Sequence, residues 1–337
     1  MQLMEQQLAQ FAEEGYLFLP GCFSEQAVEI LRDEAERIYA SDRREVWREK
    51  TGAPRTAFAA HTFNEAFRLL GTHPRLIRPV EQVFGEKLYK HQYKINAKAA
   101  FEGDVWQWHQ DYGTWARDDG MPEPRAMNIA VFMDEVMPIN GPLMLIPRSH
   151  KHGVLAAGHD EETTSYPLWT LDQETVTRLA REGGIVAPTG KPGAVLMFHG
   201  NLVHGSAPNI TPYPRRIVYL TLCAVSNYIR KPTRPEWIAH RDFTPIEPVA
   251  DSALLDYARL PGRDRRAMTP KPSSEVAVAD QPNAGFGDPI PQQGAQQCRE
   301  LLTTSIAAKR RHERWRTLRR RMEIDFADPV RQMWDQP

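Results

Sequence analysis

Residues Trp106-Gln-Trp-His-Gln-Asp-Tyr-Gly-Thr-Trp115 decide the reading of this chain. Trp106–Trp108 is a short run of strand character, and His109 and Asp111 stand two apart at its end. A strand turns alternate side chains to the same face, so an imidazole and a carboxylate at this spacing point together. They make two-thirds of a facial metal triad. The third member should be a His from a distant strand that folds back alongside. His204, in Met197-Phe-His-Gly-Asn-Leu-Val-His-Gly-Ser206 and 93 residues after Asp111, is so placed. Two imidazoles and one carboxylate leave three positions of octahedral iron(II) open, two for a 2-oxo acid and one for dioxygen. The predicted metal ligands and catalytic residues are therefore His109, Asp111 and His204.

A 2-oxoglutarate cosubstrate needs a cation for its distal carboxylate, and an arginine fork matches that group best. Arg215 lies eleven residues after His204, on the next predicted strand, with Arg216 beside it. Alternation sends 215, 217 and 219 to one face and 216, 218 and 220 to the other, so only one of the two arginines can serve. Spacing favours Arg215.

Around this segment, short β-rich runs alternate with Pro, Gly and Asn turns: Leu88–Ala97, Val105–Trp108, Ala126–Asp134, Leu143–Pro147, Ala194–His199 and Arg216–Val225. Many short strands with few helices predict a mainly β jelly roll rather than a parallel α/β sheet. A helix is expected over Leu171–Arg181, inside a long insertion. Residues 1–85 read as mainly helical around the strand Tyr16–Leu19, with one helix capped by Ser24 and running to Tyr39 and another opened by Pro74 and running to Phe84. The expected organisation is a domain over 1–230, with a helical N-terminal region over residues 1–85 and a jelly-roll core over 86–230, followed by an extension over 231–337. Within that extension, 269–293 reads as a flexible linker and 296–325 as a helix, with eight Lys or Arg against one Glu between Lys309 and Arg321.

The chain has 337 residues and a formal net charge of -1, so no global field steers it to nucleic acid or acidic lipid. The basic helix reads as solvated or as a subunit contact, with a homodimer as the assembly it would serve, rather than as a nucleic-acid element. No apolar run approaches the roughly 20 residues that span a bilayer, and no secretory signal is read at the N-terminus. Cys22, Cys223 and Cys298 are odd in number and form no disulfide framework, which suits the cytoplasm. His150 and His152 read as organisers of their turn, and His199 as a packing residue.

Five segments in order carry a resemblance: His91-Gln-Tyr-Lys-Ile-Asn96, Trp108-His-Gln-Asp-Tyr-Gly-Thr-Trp115, Asp119-Gly-Met-Pro122, Asn140-Gly-Pro-Leu-Met-Leu-Ile-Pro-Arg-Ser-His-Lys151, and His204-Gly-Ser with Asn209-Ile-Thr-Pro-Tyr-Pro-Arg215. They cover about residues 10–225, and the chain resembles the phytanoyl-CoA dioxygenase superfamily of iron(II)/2-oxoglutarate oxygenases, nearest to ectoine hydroxylase. The resemblance implies a cupin-like double-stranded β-helix with flanking helices. It implies that iron(II), 2-oxoglutarate and O2 are used to hydroxylate an unactivated C–H bond of a small molecule, releasing succinate and CO2. It carries the 2-oxoglutarate contacts onto Lys90, Asn128 and Arg215, and substrate contacts onto Gln92, Lys94, Trp106, Trp115, Phe198, Ser206 and Tyr219. Related halogenases carry a small residue at the carboxylate position, so Asp111 points to hydroxylation or desaturation. Lys94 stands where such hydroxylases usually have Arg, Trp106 and Tyr219 where they usually have Phe, and Asn128 where they usually have Ser. These departures predict a small polar or zwitterionic substrate other than ectoine. Desaturation, epoxidation or cyclisation uses the same ligands and stays open at this level, and a non-catalytic 2-oxoglutarate-binding jelly roll is the reading from another class.

Overall fold

The computed structural model describes residues 1–163 and 166–259, and the predicted linker 269–293 and basic helix 296–325 lie outside the described residues. The strands are β1 (Tyr16–Leu19), β2 (Val46–Arg48), β3 (Pro54–Phe58), β4 (Leu88–Lys98), β5 (Trp106–His109), β6 (Ala126–Phe132), β7 (Met144–Leu145), β8 (Gly158–Asp160), β9 (Leu168–Thr170), β10 (Val195–His199), β11 (His204–Ser206) and β12 (Arg215–Ala224). The helices are α1 (Glu5–Glu14), α2 (Glu25–Tyr39), α3 (Ala60–Phe63), α4 (Glu65–Leu70), α5 (Pro74–Phe84), α6 (Asp111–Asp118), α7 (Gln173–Gly183) and α8 (Ala253–Arg259).

A seven-stranded sheet in the order β1-β10-β6-β12-β4-β3-β2 faces a three-stranded sheet, β5-β11-β7, and every pairing is antiparallel. This is the jelly-roll arrangement expected from the spacing of short strands. Each face of the large sheet carries its own apolar cluster. Tyr93, Ile95, Ile129, Val131, Val218 and Leu220 face the helical layer and join one core with Val28, Leu31 and Ala35 of α2. Phe132, Ile217 and Phe198 face the small sheet and pack with Leu145. Side chains of this size stabilise the fold by about 1.5–3 kcal/mol each when fully buried.

The helix boundaries follow local chemistry. Ser24 accepts from Ala27 N at 3.3 Å to open α2. Pro74 sits in the first turn of α5, and Gly85 ends it at φ 71°, the left-handed conformation that glycine adopts without steric cost.

Two local features change what the sequence predicted. In the β4–β12 ladder Thr221 pairs with Gln92 but Leu222 pairs with Lys90, so His91 is the extra residue of a β-bulge. The bulge reverses alternation: Gln92, Lys94 and Asn96 face the space between the sheets, while Lys90 turns to the helical face. The boundary at residue 230 also needs correction. Residues 231–259 belong to the domain: Ile238, Ile246 and Leu254 are buried in the main core, and Trp237 packs edge-on against Phe58 at 5.5 Å. Their backbone is tied in by His240 N to His91 O at 2.9 Å and Ile246 N to Leu88 O at 2.8 Å.

Candidate active site

The strand ladder of the small sheet brings two of the predicted ligands together. His204 on β11 is the register partner of His109 on β5, and their rings lie 4.1 Å apart between centroids. Asp111 is not on the strand. Gln110 is still extended (φ -119°, ψ 123°), which keeps Asp111 on the face of His109, and Asp111 then opens α6. At a helix N-terminus a carboxylate is favoured by the dipole, an effect the strand reading did not contain.

The three side chains offer ligand atoms that all lie within 4.8 Å of one another, and all three are buried. His109 Nε2 is 3.6 Å from Asp111 Oδ1, and His204 Nε2 is 3.5 Å from Asp111 Oδ2. Each Nδ1 is engaged by a carbonyl, Gln107 O at 2.6 Å and Leu202 O at 2.9 Å. A carbonyl can only accept, so the proton sits on Nδ1 and the Nε2 lone pairs face the carboxylate. Burial, with His204 beside it, pushes His109 down to about 3, and burial also lowers His204. Burial alone would raise Asp111, but Lys94, His204, His109 and the Asn128 amide outweigh it and hold the carboxylate at about 2. Three electron-rich donors without a shared proton are a site for a cation. Two imidazoles and a carboxylate are the donor set suited to iron(II).

Lys94, Trp106, His109 and Asp111 line two adjoining pockets. The first also contains Arg215, Tyr219, Asn96, Ser206 and His204. Arg215 is buried and bonded to Tyr219, yet its Nε and the Ser206 hydroxyl have no hydrogen-bond partner. Arg216 points the other way, pairing with Asp134 at 2.8 Å and with Glu36 of α2. The Lys94 ammonium stands 5.8 Å from the Trp106 ring centroid and 5.6 Å from that of Tyr219.

The second pocket contains Gln92, Trp115, Tyr166, Trp169 and Arg234. Gln92 Nε2 is buried without a partner, and Trp115 is buried against His91 at 5.2 Å. Sequence reasoning missed Tyr166, Trp169 and Arg234. Arg234 comes from the segment read as an extension and is held by buried Asp119, with Nε 3.0 Å from Oδ1 and Nη2 on Oδ2. Asp119 also faces His91 Nε2 at 3.3 Å. The signal that could have found Arg234 is the Asp119-Gly120 turn, because a buried carboxylate demands a cationic partner.

Three predicted residues stand elsewhere. Lys90, expected at 2-oxoglutarate, is carried by the bulge into a separate cavity with His61 and His240. Asn128, also expected there, is absent from both pocket linings: its Nδ2 donates to Asp111 Oδ2 at 2.7 Å and its Oδ1 accepts from Thr221 at 2.7 Å. Phe198 packs its ring edge-on against His204 at 5.0 Å instead of lining either pocket. His199 lies on the outer face, its ring 5.2 Å from that of His150.

Comparison with known proteins decides the family. The phytanoyl-CoA dioxygenase (PhyH) family matches residues 11–217. The chain belongs to this family. Ectoine dioxygenase of Nocardia farcinica is 35% identical over 257 residues, spanning 72% of this chain and 86% of that one. L-proline trans-4-hydroxylase of Streptomyces griseoviridis is 34% identical over 250 residues, spanning 71% and 93%. The crystal structure of EctD from S. alaskensis with 2-oxoglutarate and 5-hydroxyectoine is similar at a TM-score of 0.66 and 35% identity, covering 73% of this chain and 87% of that one. This PhyH-family protein is a 2-oxoglutarate-dependent non-haem iron dioxygenase, and its cofactor set is iron(II), 2-oxoglutarate and O2.

Proposed function

We propose that this dioxygenase hydroxylates an unactivated C–H bond of a small zwitterionic metabolite, with iron held by His109, Asp111 and His204. The observation that carries the reading is the convergence of those three donors from β5, α6 and β11, with Arg215 projecting from the facing sheet beside them. Bound iron would supply dioxygen activation, with oxidation of 2-oxoglutarate to succinate and CO2.

The protein's own role is positioning. Asn128 orients the Asp111 carboxylate, and the carbonyls of Gln107 and Leu202 fix the tautomers of the two imidazoles. Arg215 and Ser206, each with an open buried polar atom, suit the distal carboxylate of 2-oxoglutarate. In the second pocket Lys94 and Arg234 supply positive charge, Gln92 a free amide, and Trp106, Trp115, Tyr166 and Trp169 apolar walls. Cations beside aromatic walls suit a small molecule with one carboxylate and a compact apolar or cationic body. Ectoine and L-proline, the substrates named for the two relatives, share that description. Both names are those of oxygen-inserting enzymes, so hydroxylation is favoured over desaturation or cyclisation. We read Lys94 in place of an arginine as selecting a member of this class other than ectoine, because a point charge does not reproduce a bidentate fork. Cys22 and Cys223 are buried and unpaired, in keeping with action in the cytoplasm.

Purified enzyme with iron(II), ascorbate and 2-oxoglutarate, assayed for succinate with ectoine, L-proline and related zwitterions, tests the proposal. Succinate should rise with at least one of them. No succinate above an Asp111→Ala control for any would overturn it.

A further inference from the structure

We propose that Arg55 of β3, which lines neither pocket, is a positioning residue that sets the shape of the substrate pocket by holding Trp106 in place. The inference rests on the second pocket being the substrate site, as proposed above. Trp106 opens β5 and lines both pockets, so the angle of its indole fixes how much room stands beside the iron ligands.

The Arg55 guanidinium carbon lies 4.2 Å from the centroid of the Trp106 ring. Its Nη2 donates to Val105 O at 3.1 Å, the carbonyl that precedes Trp106. One side chain thus grips both the indole and the backbone that leads into it. Nη1 donates to both oxygens of Glu49, at 2.8 and 3.1 Å, and Glu49 in turn accepts from Asp104 N at 3.3 Å. The side chains of Arg55 and Glu49 are 1% and 5% exposed, so water does not screen the pair. Lys98 Nζ ties the same stretch, donating to Asp104 O at 2.5 Å and to Ala207 O at 2.6 Å. The backbone that enters β5 and the backbone that leaves β11 therefore share one anchor.

Stability alone does not account for this arrangement. Desolvation offsets most of the attraction within a buried ion pair, and two apolar side chains of the same volume would fill the space as well. What they would not do is hold an indole at one angle. A desolvated cation over an aromatic face adds a directional attraction, and tryptophan is the best acceptor for it. The Trp106 ring also meets Tyr166 at 5.1 Å and the Lys94 ammonium at 5.8 Å. A turn of the indole would therefore disturb two further groups of the pocket.

The test has two arms. Full-length enzyme labelled with 5-fluorotryptophan, with zinc(II) in place of iron to keep the lines sharp, gives one fluorine resonance for each of the eight tryptophans, assigned by single Phe replacements. Arg55→Lys keeps the charge but loses the planar fork. It should shift or broaden the Trp106 resonance and leave those of Trp115 and Trp169, on other walls of the same pocket, in place. The Arg55→Met/Glu49→Met double variant strands no buried charge and should move the Trp106 resonance in the same way. In the iron-loaded enzyme, Arg55→Lys should raise KM for the zwitterion by about fivefold to tenfold, the scale of one desolvated cation–ring contact. KM for 2-oxoglutarate, which Arg215 anchors, should change far less. In a Trp106→Ala background the same substitution should add nothing. An unmoved Trp106 resonance, equal movement of all three resonances, or an unchanged zwitterion KM overturns the proposal. If the wild-type enzyme consumes no zwitterion, the proposed function fails, and the fluorine resonances alone decide whether Arg55 holds Trp106.

Discussion

Asn128→Ala separates two accounts of one residue. The resemblance to ectoine hydroxylases places Asn128 at 2-oxoglutarate, whereas the structure ties its amide to Asp111 Oδ2 at 2.7 Å. A hydrogen bond from an amide to a buried carboxylate contributes about 1.5–3 kcal/mol. Removing it frees the carboxylate to rotate away from the geometry it shares with His109 and His204, and loss of such an outer partner lowers metal affinity by about 10- to 100-fold. Truncation also strands the Thr221 hydroxyl, which donates to Asn128 Oδ1 at 2.7 Å. That second loss should lower global stability by about 1–3 kcal/mol, and Thr221→Val in the same background should recover some of it. The assay is anaerobic titration with iron(II), read against the Michaelis constant for 2-oxoglutarate at saturating iron. Weakened iron binding with an almost unchanged Michaelis constant is the expected result. Wild-type iron affinity together with a raised Michaelis constant would refute the argument and restore the cosubstrate role.

Other outcomes follow from the same geometry. Arg215→Ala should raise the Michaelis constant for 2-oxoglutarate by about 100-fold, on the scale of a lost bidentate carboxylate contact; an unchanged value would remove Arg215 from the cosubstrate site. Arg216→Ala should leave that constant alone and cost about 1 kcal/mol of stability, because its partners Asp134 and Glu36 are on the helical face. Gly205→Ala should weaken iron binding, since the added Cβ would lie 3.0 Å from Trp106 O and push β11, which carries His204, off β5; unchanged metal affinity would show that the ladder yields. Burial lowers His199 to about 4 and His240 to about 3 from 6.5. A histidine kept neutral in the fold contributes stability present above 6.5 and lost as pH falls toward the folded value. The Tm of the iron-free protein should therefore fall between pH 7 and pH 5, and a flat profile contradicts these burials.

The features of the site that sequence revealed are those governed by short-range geometry. His109 and Asp111 are two residues apart, and the extended Gln110 preserves their common face although a helix begins at once. Arg215 and Arg216 separate by the same alternation, because β12 is regular at that end. The failures begin where one inserted residue breaks the period. Nothing in His91-Gln-Tyr marks a bulge, since no glycine or proline is present, and the resemblance that carried Lys90 to 2-oxoglutarate does not register one. The 231–259 segment misleads through its prolines: they set it apart as an extension, but Trp237, Ile238, Ile246 and Leu254 anchor an extended chain that needs no periodicity. Arg234 is hidden with it. Asn128 shows a third limit, because sequence can bring an amide near a site without saying whether it meets the cosubstrate or a ligand.

The most direct test of the whole account is incubation of the enzyme with iron(II), 2-oxoglutarate, ¹⁸O₂ and a panel of small zwitterions, followed by mass spectrometry. One labelled oxygen is expected in succinate and one in a hydroxylated product, and neither with His109→Ala or Asp111→Ala. Labelled product formed by either variant, or no labelled succinate from the wild-type enzyme with any member of the panel, would contradict it.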